Sequence, residues 1–147
     1  DDLLKRFNLK KNELDLIAVS NGPGSFTGLR VGCSVAQALA FANDIPLIPL
    51  SSLAVLAHQA HSKFDMKNIF VITNAHMKEL YIGSYQFENE QIKILEKECL
   101  ISQEDLSNYV DISSTETLYV GNGITFLENI VDKNAYKNIF SHSNIFF

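Results

Sequence analysis

The stretch Ser20-Asn21-Gly22-Pro23-Gly24-Ser25-Phe26-Thr27-Gly28-Leu29-Arg30-Val31-Gly32 decides the fold of this chain. Three glycines and a proline within seven residues exclude a strand or a helix interior, because glycine adopts backbone angles that other residues avoid and proline lacks a backbone donor. An apolar run precedes this loop and a long, nearly uncharged helical run follows it. The free N–H groups at such a helix start can hold an anion or a partner's carboxylate.

The segments around the loop alternate between helical and strand patterns, which predicts an α/β fold with crossover connections. A later hairpin across the polar residues 88–90 makes the predicted sheet mixed, with flanking helices. The predicted helices cover residues 2–11, 29–43, 52–62 and 124–131, with a further helix start at Ser102, and the predicted strands cover residues 14–19, 46–50, 69–72, 80–87, 91–96 and 118–121.

The helix predicted over residues 29–43 is apolar on all sides. No charged residue occurs between Arg30 and Asp44. A helix of this kind is buried on more than one side. We therefore expect one face to contact the sheet and the other to contact something else.

The predicted strand at 14–19 is the first strand in the chain, so it would be left as an apolar sheet edge, which is an aggregation hazard. The first residue is Asp1 rather than Met. We therefore expect that strands which belong before residue 1 are missing from this sequence.

Composition bounds the function. The 147 residues include 46% hydrophobic and 20% charged side chains, which is ordinary for a globular protein, and the formal net charge is −5. Because phosphate contacts need a basic face, this charge argues against unaided binding to nucleic acid. Cys33 and Cys99 lie far apart and are read as reduced thiols. Without an apolar run of about 20 residues or a signal peptide, a cytoplasmic location without membrane contact is expected.

Residues 19–32 resemble the signature of the bacterial TsaB proteins, also called YeaZ. The match continues through Ala36-Gln37-Ala38-Leu39-Ala40 and Ile45-Pro46-Leu47-Ile48-Pro49-Leu50-Ser51-Ser52-Leu53. It is strong over residues 16–57 and weaker over residues 69–87.

The resemblance implies the actin-like ATPase fold, also called ASKHA or ribonuclease H-like. It implies an N-terminal lobe over residues 1–62 and part of 63–87, with a reduced second lobe over about 63–147, in one compact unit. It also implies a non-catalytic subunit that binds TsaD, the enzyme that transfers a threonylcarbamoyl group to adenosine 37 of tRNA. The ATPase TsaE joins that complex, and no cofactor is expected in this chain.

The resemblance also implies where TsaD binds, since helices next to the glycine loop pack against equivalent helices of TsaD. The expected partner-binding residues are Leu3, Leu4, Phe7, Phe26, Arg30, Val31, Val35, Ala38 and Ala42, beside the motif loop of Gly22, Pro23, Gly24, Ser25, Thr27 and Gly28.

One triplet departs from the family pattern. TsaB proteins often carry Asp-Ala-Arg after the strand equivalent to 69–73, whereas this chain has Asn74-Ala75-His76. The later residues Glu79 and Tyr81 fit the pattern. The contact made by the family's Asp and Arg is therefore in question here.

Several residues in and after the loop allow two interpretations. The loop either cradles phosphate or makes a tight strand-to-helix turn, and the turn is favoured because the loop lacks the lysine of a phosphate loop. Arg30 either pairs with a partner carboxylate or caps loop carbonyls, and Phe26 is either core or an interface anchor. Ser25 and Thr27 are better candidates for the helix N-cap than for nucleophiles, since no His or Asp lies at a spacing that would activate them.

The histidines allow a metal site only weakly. His58 and His61 lie three apart on a predicted helix, a spacing that can bind metal, but no third ligand is evident and an exposed polar face is favoured. His76 and His142 are isolated and receive no role. The alternative function is a small nucleotide-binding or metallopeptidase-like enzyme of the same superfold. A third possibility is a module that pairs with a copy of itself.

Overall fold

The computed structural model describes residues 2–89, 91–111 and 116–129, and the chain divides into two compact units, residues 1–52 and 53–147. Both units combine helices with strands, and the sheet of the second unit is mixed, which confirms the predicted α/β class. Within the described residues, no helix is long and apolar enough to cross a membrane.

The first unit is a parallel strand pair joined by one long helix. The two strands pair in register from Ile17 opposite Leu47 to Ser20 opposite Leu50. Parallel neighbours need a crossover connection, and the long helix supplies it. In chain order the elements are α1 (Asp2–Arg6), a 3-10 helix (Lys11–Glu13), β1 (Ile17–Gly22), α2 (Phe26–Asn43) and β2 (Leu47–Ser51).

The second unit is a four-stranded sheet with the order β5-β4-β3-β6, in which β6 runs parallel to β3 and the other pairs are antiparallel. Its helix α3 starts at Ser52, the last residue of the first unit. The elements are α3 (Ser52–Phe64), β3 (Asn68–His76), β4 (Glu79–Glu88), β5 (Gln91–Ser102), a 3-10 helix (Glu104–Asn108), β6 (Thr117–Val120) and a second 3-10 helix (Ile124–Asn129).

Two apolar clusters cover the two faces of this sheet. Successive residues of a strand point to opposite faces, so Ile69 and Val71 of β3 pack with α3, whereas Phe70 and Ile72 pack with the 3-10 helices. From α3 the first cluster takes Leu53, Leu56, Ala57 and Ala60. The second cluster takes Leu106, Ile124 and Leu127 from the 3-10 helices.

Some predicted boundaries are wrong. The first helix ends at Arg6 instead of residue 11, because Asn8 takes a left-handed conformation at φ 53° and stops the helix. The first strand covers 17–22 instead of 14–19, since Gly22, expected to end it, still pairs with Ser51. The predicted helix at 124–131 is a 3-10 helix as far as Asn129. His142 and the apolar tail with Ile139, Phe140, Ile145, Phe146 and Phe147 lie outside the described residues.

The Gly121-Asn122-Gly123 turn joins the end of β6 to β3. Gly121 has φ 114°, and a Cβ there would lie 2.1 Å from the carbonyl oxygen of Ile72. The N–H of Gly123 donates to the same carbonyl at 2.9 Å. Glycine is therefore required by close backbone approach, which is a structural reason for this motif.

The phenol of Tyr119 provides a pH test of the second unit. Tyr119 is buried in the second cluster, and its hydroxyl donates to the backbone carbonyl of Asp111 at 2.8 Å. Burial, and secondarily the negative charge of Asp111, raises the pKa of the phenol above its ordinary value of 10.0.

We expect the free energy of unfolding to fall as the pH rises above about 10, because the unfolded chain releases the Tyr119 proton at a lower pH than the folded chain does. Below that pH the contribution is fully present. Urea unfolding between pH 8 and 11 measures the effect. Tyr119→Phe should flatten the pH dependence relative to Tyr109→Phe, which changes an exposed tyrosine; identical pH dependence in both variants would contradict the assignment.

Candidate partner-binding surface

The glycine loop makes the turn between β1 and α2. Gly22 has φ 104°, a conformation that side chains with a Cβ rarely adopt, and a Cβ there would lie 3.0 Å from Cδ1 of Leu29. The next residue, Pro23, accepts a hydrogen bond at its carbonyl from the hydroxyl of Ser52. The loop is therefore fixed at its first residues by backbone conformation and by a hydrogen bond to the start of α3.

The start of α2 is capped by Ser25. The hydroxyl of Ser25 accepts from the N–H of Gly28 at 3.4 Å, and its carbonyl accepts from the N–H of Leu29 at 2.9 Å. Of the two residues predicted as candidates for the N-cap, Ser25 is the N-cap, and Thr27 lies exposed in the first turn of α2. This geometry is that of a capped strand-to-helix turn.

The inward face of α2 carries small residues. Ala36 and Ala40 are its buried residues, and Leu29, Cys33 and Leu39 are half-buried. The Sγ atom of Cys33 lies 3.7 Å from the carbonyl oxygen of Ser20 in β1. The alanines allow α2 to lie close to the strand pair.

The outward face of α2 carries an exposed apolar stripe. The predicted residues Val31, Val35, Ala38 and Ala42 follow one another at intervals of four, three and four, so they share one face, and all four are exposed. Phe41 lies beside them with 92% of its surface exposed. The sequence prediction missed Phe41 because a helix that is apolar all round gives no polar side from which to identify the outward face.

Phe26 and Arg30 form a pair at the start of α2. Phe26 is 69% exposed, so the core interpretation of this residue is wrong. The Arg30 guanidinium lies 4.1 Å from the centre of the Phe26 ring, in a cation–π arrangement. Such a contact contributes about 0.5–1 kcal/mol at an exposed site and keeps both side chains at the N-terminal end of the outward face.

The predicted residues in α1 and directly after it differ in exposure. Leu3 and Phe7, one helical turn apart in sequence, are both exposed. Leu4 is half-buried and lines an open apolar cavity of about 590 Å³ together with Leu14, Ile17 and Leu39. Leu3 lines the same cavity, but it and Phe7 are exposed and accessible to a partner, whereas Leu4 is half-buried.

Comparison with known proteins identifies the family. A family model described as "TsaD: tRNA N6-adenosine threonylcarbamoyltransferase" matches residues 1–143. The chain is 41% identical over 83 residues to the tRNA threonylcarbamoyladenosine biosynthesis protein TsaB of Haemophilus influenzae, covering 56% of this chain and 35% of that protein. It is 31% identical to the Escherichia coli protein of the same name, covering 83% of this chain and 53% of that protein.

The chain belongs to the TsaD family, within which it is a TsaB (YeaZ) protein. The solved structure of YeaZ from Pseudomonas aeruginosa superimposes with a TM-score of 0.76 at 30% identity, covering 90% of this chain and 62% of that one. The expected actin-like ATPase fold is thereby confirmed. The chain spans about half the length of the curated TsaB relatives that it matches.

Asn74-Ala75-His76, where the resemblance implies Asp-Ala-Arg, lies at the end of β3. The Oδ1 atom of Asn74 accepts from the N–H of His76 at 2.8 Å, as a carboxylate would. The N–H of Asn74 donates to Oδ1 of Asn122 at 2.8 Å. His76, Met77 and Lys78 all have positive φ angles, and Met77 and Lys78 form the tight turn between β3 and β4.

The histidines of α3 pack on an aromatic ring. His61 stacks on Phe87 with ring centres 4.2 Å apart, and its Nδ1 lies 2.9 Å from the carbonyl oxygen of Met66. His58 is exposed and contacts the same ring edge-on. The prediction that both histidines lie on an exposed polar face is correct for His58 and wrong for His61, because His61 is half-buried. In the described part of the chain, no three His, Cys, Asp or Glu side chains are placed to hold a metal ion.

The turn geometry predicts unequal effects of two loop substitutions. Gly22→Ala should destabilise the chain by about 1–3 kcal/mol, because it forces an unfavourable φ angle and a close contact with Leu29. Gly24→Ala is the matched control, since no atom lies within 4 Å of a Cβ added at that position. Urea unfolding measures both changes in free energy, and equal stability of the two variants would contradict the role given to Gly22.

Proposed function

We propose that this chain acts in the biosynthesis of threonylcarbamoyladenosine at position 37 of tRNA, as a non-catalytic scaffold that binds TsaD. Three curated TsaB relatives at 31–32% identity, of which this chain spans about half, carry the name of that pathway. The observation that carries the binding role is the exposed apolar face of α2 with Phe41 beside it.

The size and shape of this face suit another helix. An 18-residue helix is about 27 Å long, and small residues at its surface allow a second helix to approach to about 8 Å. Ala38 and Ala42 supply those small positions, and Val31, Val35 and Phe41 supply the larger side chains around them. The family model that matches this chain is that of TsaD, so a partner with the same fold would present an equivalent helix.

The ends of α1 and α2 extend the proposed surface. Leu3 on α1, Phe7 directly after α1, and Phe26 and Arg30 at the start of α2 are all exposed. Aromatic and arginine side chains are those most often found to dominate binding energy at protein interfaces. We therefore assign Phe26 and Arg30 to the partner surface as an anchor pair.

The scaffold role is favoured over an enzyme by the use of the loop residues. Ser25 caps α2, Gly22 and Pro23 make the turn, and the loop contains no lysine to contact a phosphate. The second glycine motif, Gly121-Asn122-Gly123, is held against Ile72 for reasons of backbone packing. These side chains and backbone groups support the fold directly.

Ala38→Lys and Arg30→Glu should each weaken binding to TsaD from the same organism. A charge buried without a partner at an interface costs about 3 kcal/mol or more, which corresponds to a loss of at least about 100-fold in affinity. Size-exclusion chromatography with light scattering and isothermal titration calorimetry measure the complex.

Ser62→Lys is the control for Ala38→Lys, since it places the same charge at an exposed position on α3. Unaltered binding by Ala38→Lys and Arg30→Glu would contradict the assigned surface. Failure of the unsubstituted chain to bind TsaD, with measurable affinity for ATP or a metal ion, would favour the enzyme instead. A dimer of the chain alone would favour self-association.

A further inference from the structure

Two Asn-Gly pairs occur in the sequence, Asn21-Gly22 before α2 and Asn122-Gly123 after β6. Asparagine followed by glycine is the pair most prone to spontaneous loss of the side-chain amide, because glycine has no Cβ to hinder attack of its backbone nitrogen on the asparagine side chain. The reacting groups are the same in both pairs, so a large difference in their reactivity must come from the fold.

The fold holds both reacting groups of Asn122-Gly123. The Oδ1 atom of Asn122 accepts a hydrogen bond from the backbone N–H of Asn74 at 2.8 Å. The N–H of Gly123, which carries the attacking nitrogen, donates to the carbonyl of Ile72 at 2.9 Å. A Cβ at Gly123 would lie 2.7 Å from Cγ2 of Ile72, so the backbone here is packed closely against β3. Both groups must leave these contacts before they can react with each other.

The pair Asn21-Gly22 is held less firmly. Asn21 is exposed, and no hydrogen bond among the described residues holds its side-chain amide. Ser20 pairs with Leu50 and Gly22 pairs with Ser51, so Asn21 is the extra residue of a β-bulge, where the hydrogen-bond ladder is disrupted. The N–H of Gly22 lies 3.4 Å from the hydroxyl oxygen of Ser20, which is longer than an ordinary N–H···O hydrogen bond.

We propose that Asn21-Gly22 is a site of spontaneous deamidation in the folded chain, and that the fold protects Asn122-Gly123 from the same reaction. The backbone nitrogen of Gly22 loses its proton and forms a bond to Cγ of Asn21. The bond from Cγ to the side-chain nitrogen breaks, and that nitrogen leaves with a proton as ammonia, so that a succinimide ring remains.

Water then opens the succinimide ring in one of two ways. Cleavage of the bond between Cγ and the Gly22 nitrogen gives aspartate at position 21. Cleavage of the original peptide bond gives isoaspartate, in which the main chain runs through the former side chain. Neither route oxidises or reduces any group, and water is the only other reactant.

The isoaspartate product alters the turn into α2. Its main chain is longer by one carbon atom directly before Gly22, which has φ 104° and pairs with Ser51. The neighbouring carbonyl of Pro23 accepts a hydrogen bond from Ser52. These contacts depend on the spacing of the main chain, so isoaspartate should destabilise the first unit. Aspartate leaves the main chain unchanged at an exposed position and should be tolerated.

The test compares the two pairs within one sample. The chain is incubated at mildly alkaline pH, in buffer and in a urea concentration that unfolds it. Peptide mapping by mass spectrometry follows the replacement of an amino group by a hydroxyl group at each asparagine, and chromatography separates the aspartyl from the isoaspartyl peptides. The unfolded sample gives the intrinsic rate at each pair without the influence of the fold.

We expect Asn21 to react at least tenfold faster than Asn122 in the folded chain, and the two rates to agree within threefold in the unfolded chain. The rate at Asn21 should not change with urea below the unfolding transition, because the reaction proceeds from the native bulge. Equal rates in the folded chain would overturn the proposal. A rate at Asn21 that rises steeply with urea below the transition would also overturn it, since the reaction would then require unfolding.

Two variants at this exposed position complete the test. Asn21→Gln keeps the amide but lengthens the side chain, which disfavours ring closure, so it should abolish modification at position 21 and leave the rate at Asn122 unchanged. Asn21→Asp represents the aspartate product and should unfold at the same urea concentration as the parent chain, whereas the isolated isoaspartyl fraction should unfold at a lower one. Continued loss of ammonia from this position in Asn21→Gln, or equal stability of the isoaspartyl fraction and the parent, would contradict the assignment.

Discussion

The turn from β1 into α2 is the constraint on which the first unit depends. Position 22 has a φ angle of 104°, which only glycine adopts without strain. The hydroxyl of Ser52 donates a hydrogen bond to the carbonyl of Pro23, and Ser25 is the N-cap at which α2 begins. Each residue rotates an α-helix by about 100°, so a start displaced by one residue would turn a different stripe towards the sheet. The loop therefore sets which residues α2 presents to the outside.

That orientation reverses the usual distribution of apolar side chains. Two alanines are buried on α2, while Phe26, Val31, Val35 and Phe41 remain exposed. Full burial of a large apolar side chain stabilises by about 1.5–3 kcal/mol, so this surface retains a large unused contribution that a partner could supply. The second unit buries large side chains on both faces of its sheet, and its exposed apolar side chains in β5 are Ile92, Ile94, Leu95 and Leu100. The contrast explains why the proposed binding role is assigned to the first unit.

Much of the fold follows from local sequence. The order of helices and strands and the hairpin of β4 and β5 were predicted, and the N-cap was narrowed to Ser25 or Thr27, because each depends on residues that are close in the chain. The predicted ends of α1 and β1 are wrong for reasons that the hydrophobic pattern of the sequence does not reveal. Asn8 ends α1 early through its left-handed conformation, and Gly22 remains paired with Ser51 although it was expected to stop the strand.

The candidate partner-binding surface was predicted only in part, because the residues of α2 are close in the chain but its orientation is not a local property. The run without charges from residue 31 to residue 43 predicted that α2 is apolar on more than one side, and this implied a second apolar contact besides the sheet. Only the tertiary structure decided that Phe41 and Phe26 lie outside, that His61 stacks on Phe87, and that Gly121 approaches the carbonyl of Ile72. The contacts of His61 and Gly121 join residues that are 26 and 49 positions apart, and a local sequence pattern does not reveal contacts over such distances. The exposure of Phe26 and Phe41 depends on which side of α2 faces the sheet, and the sequence does not show this because α2 has no charged side.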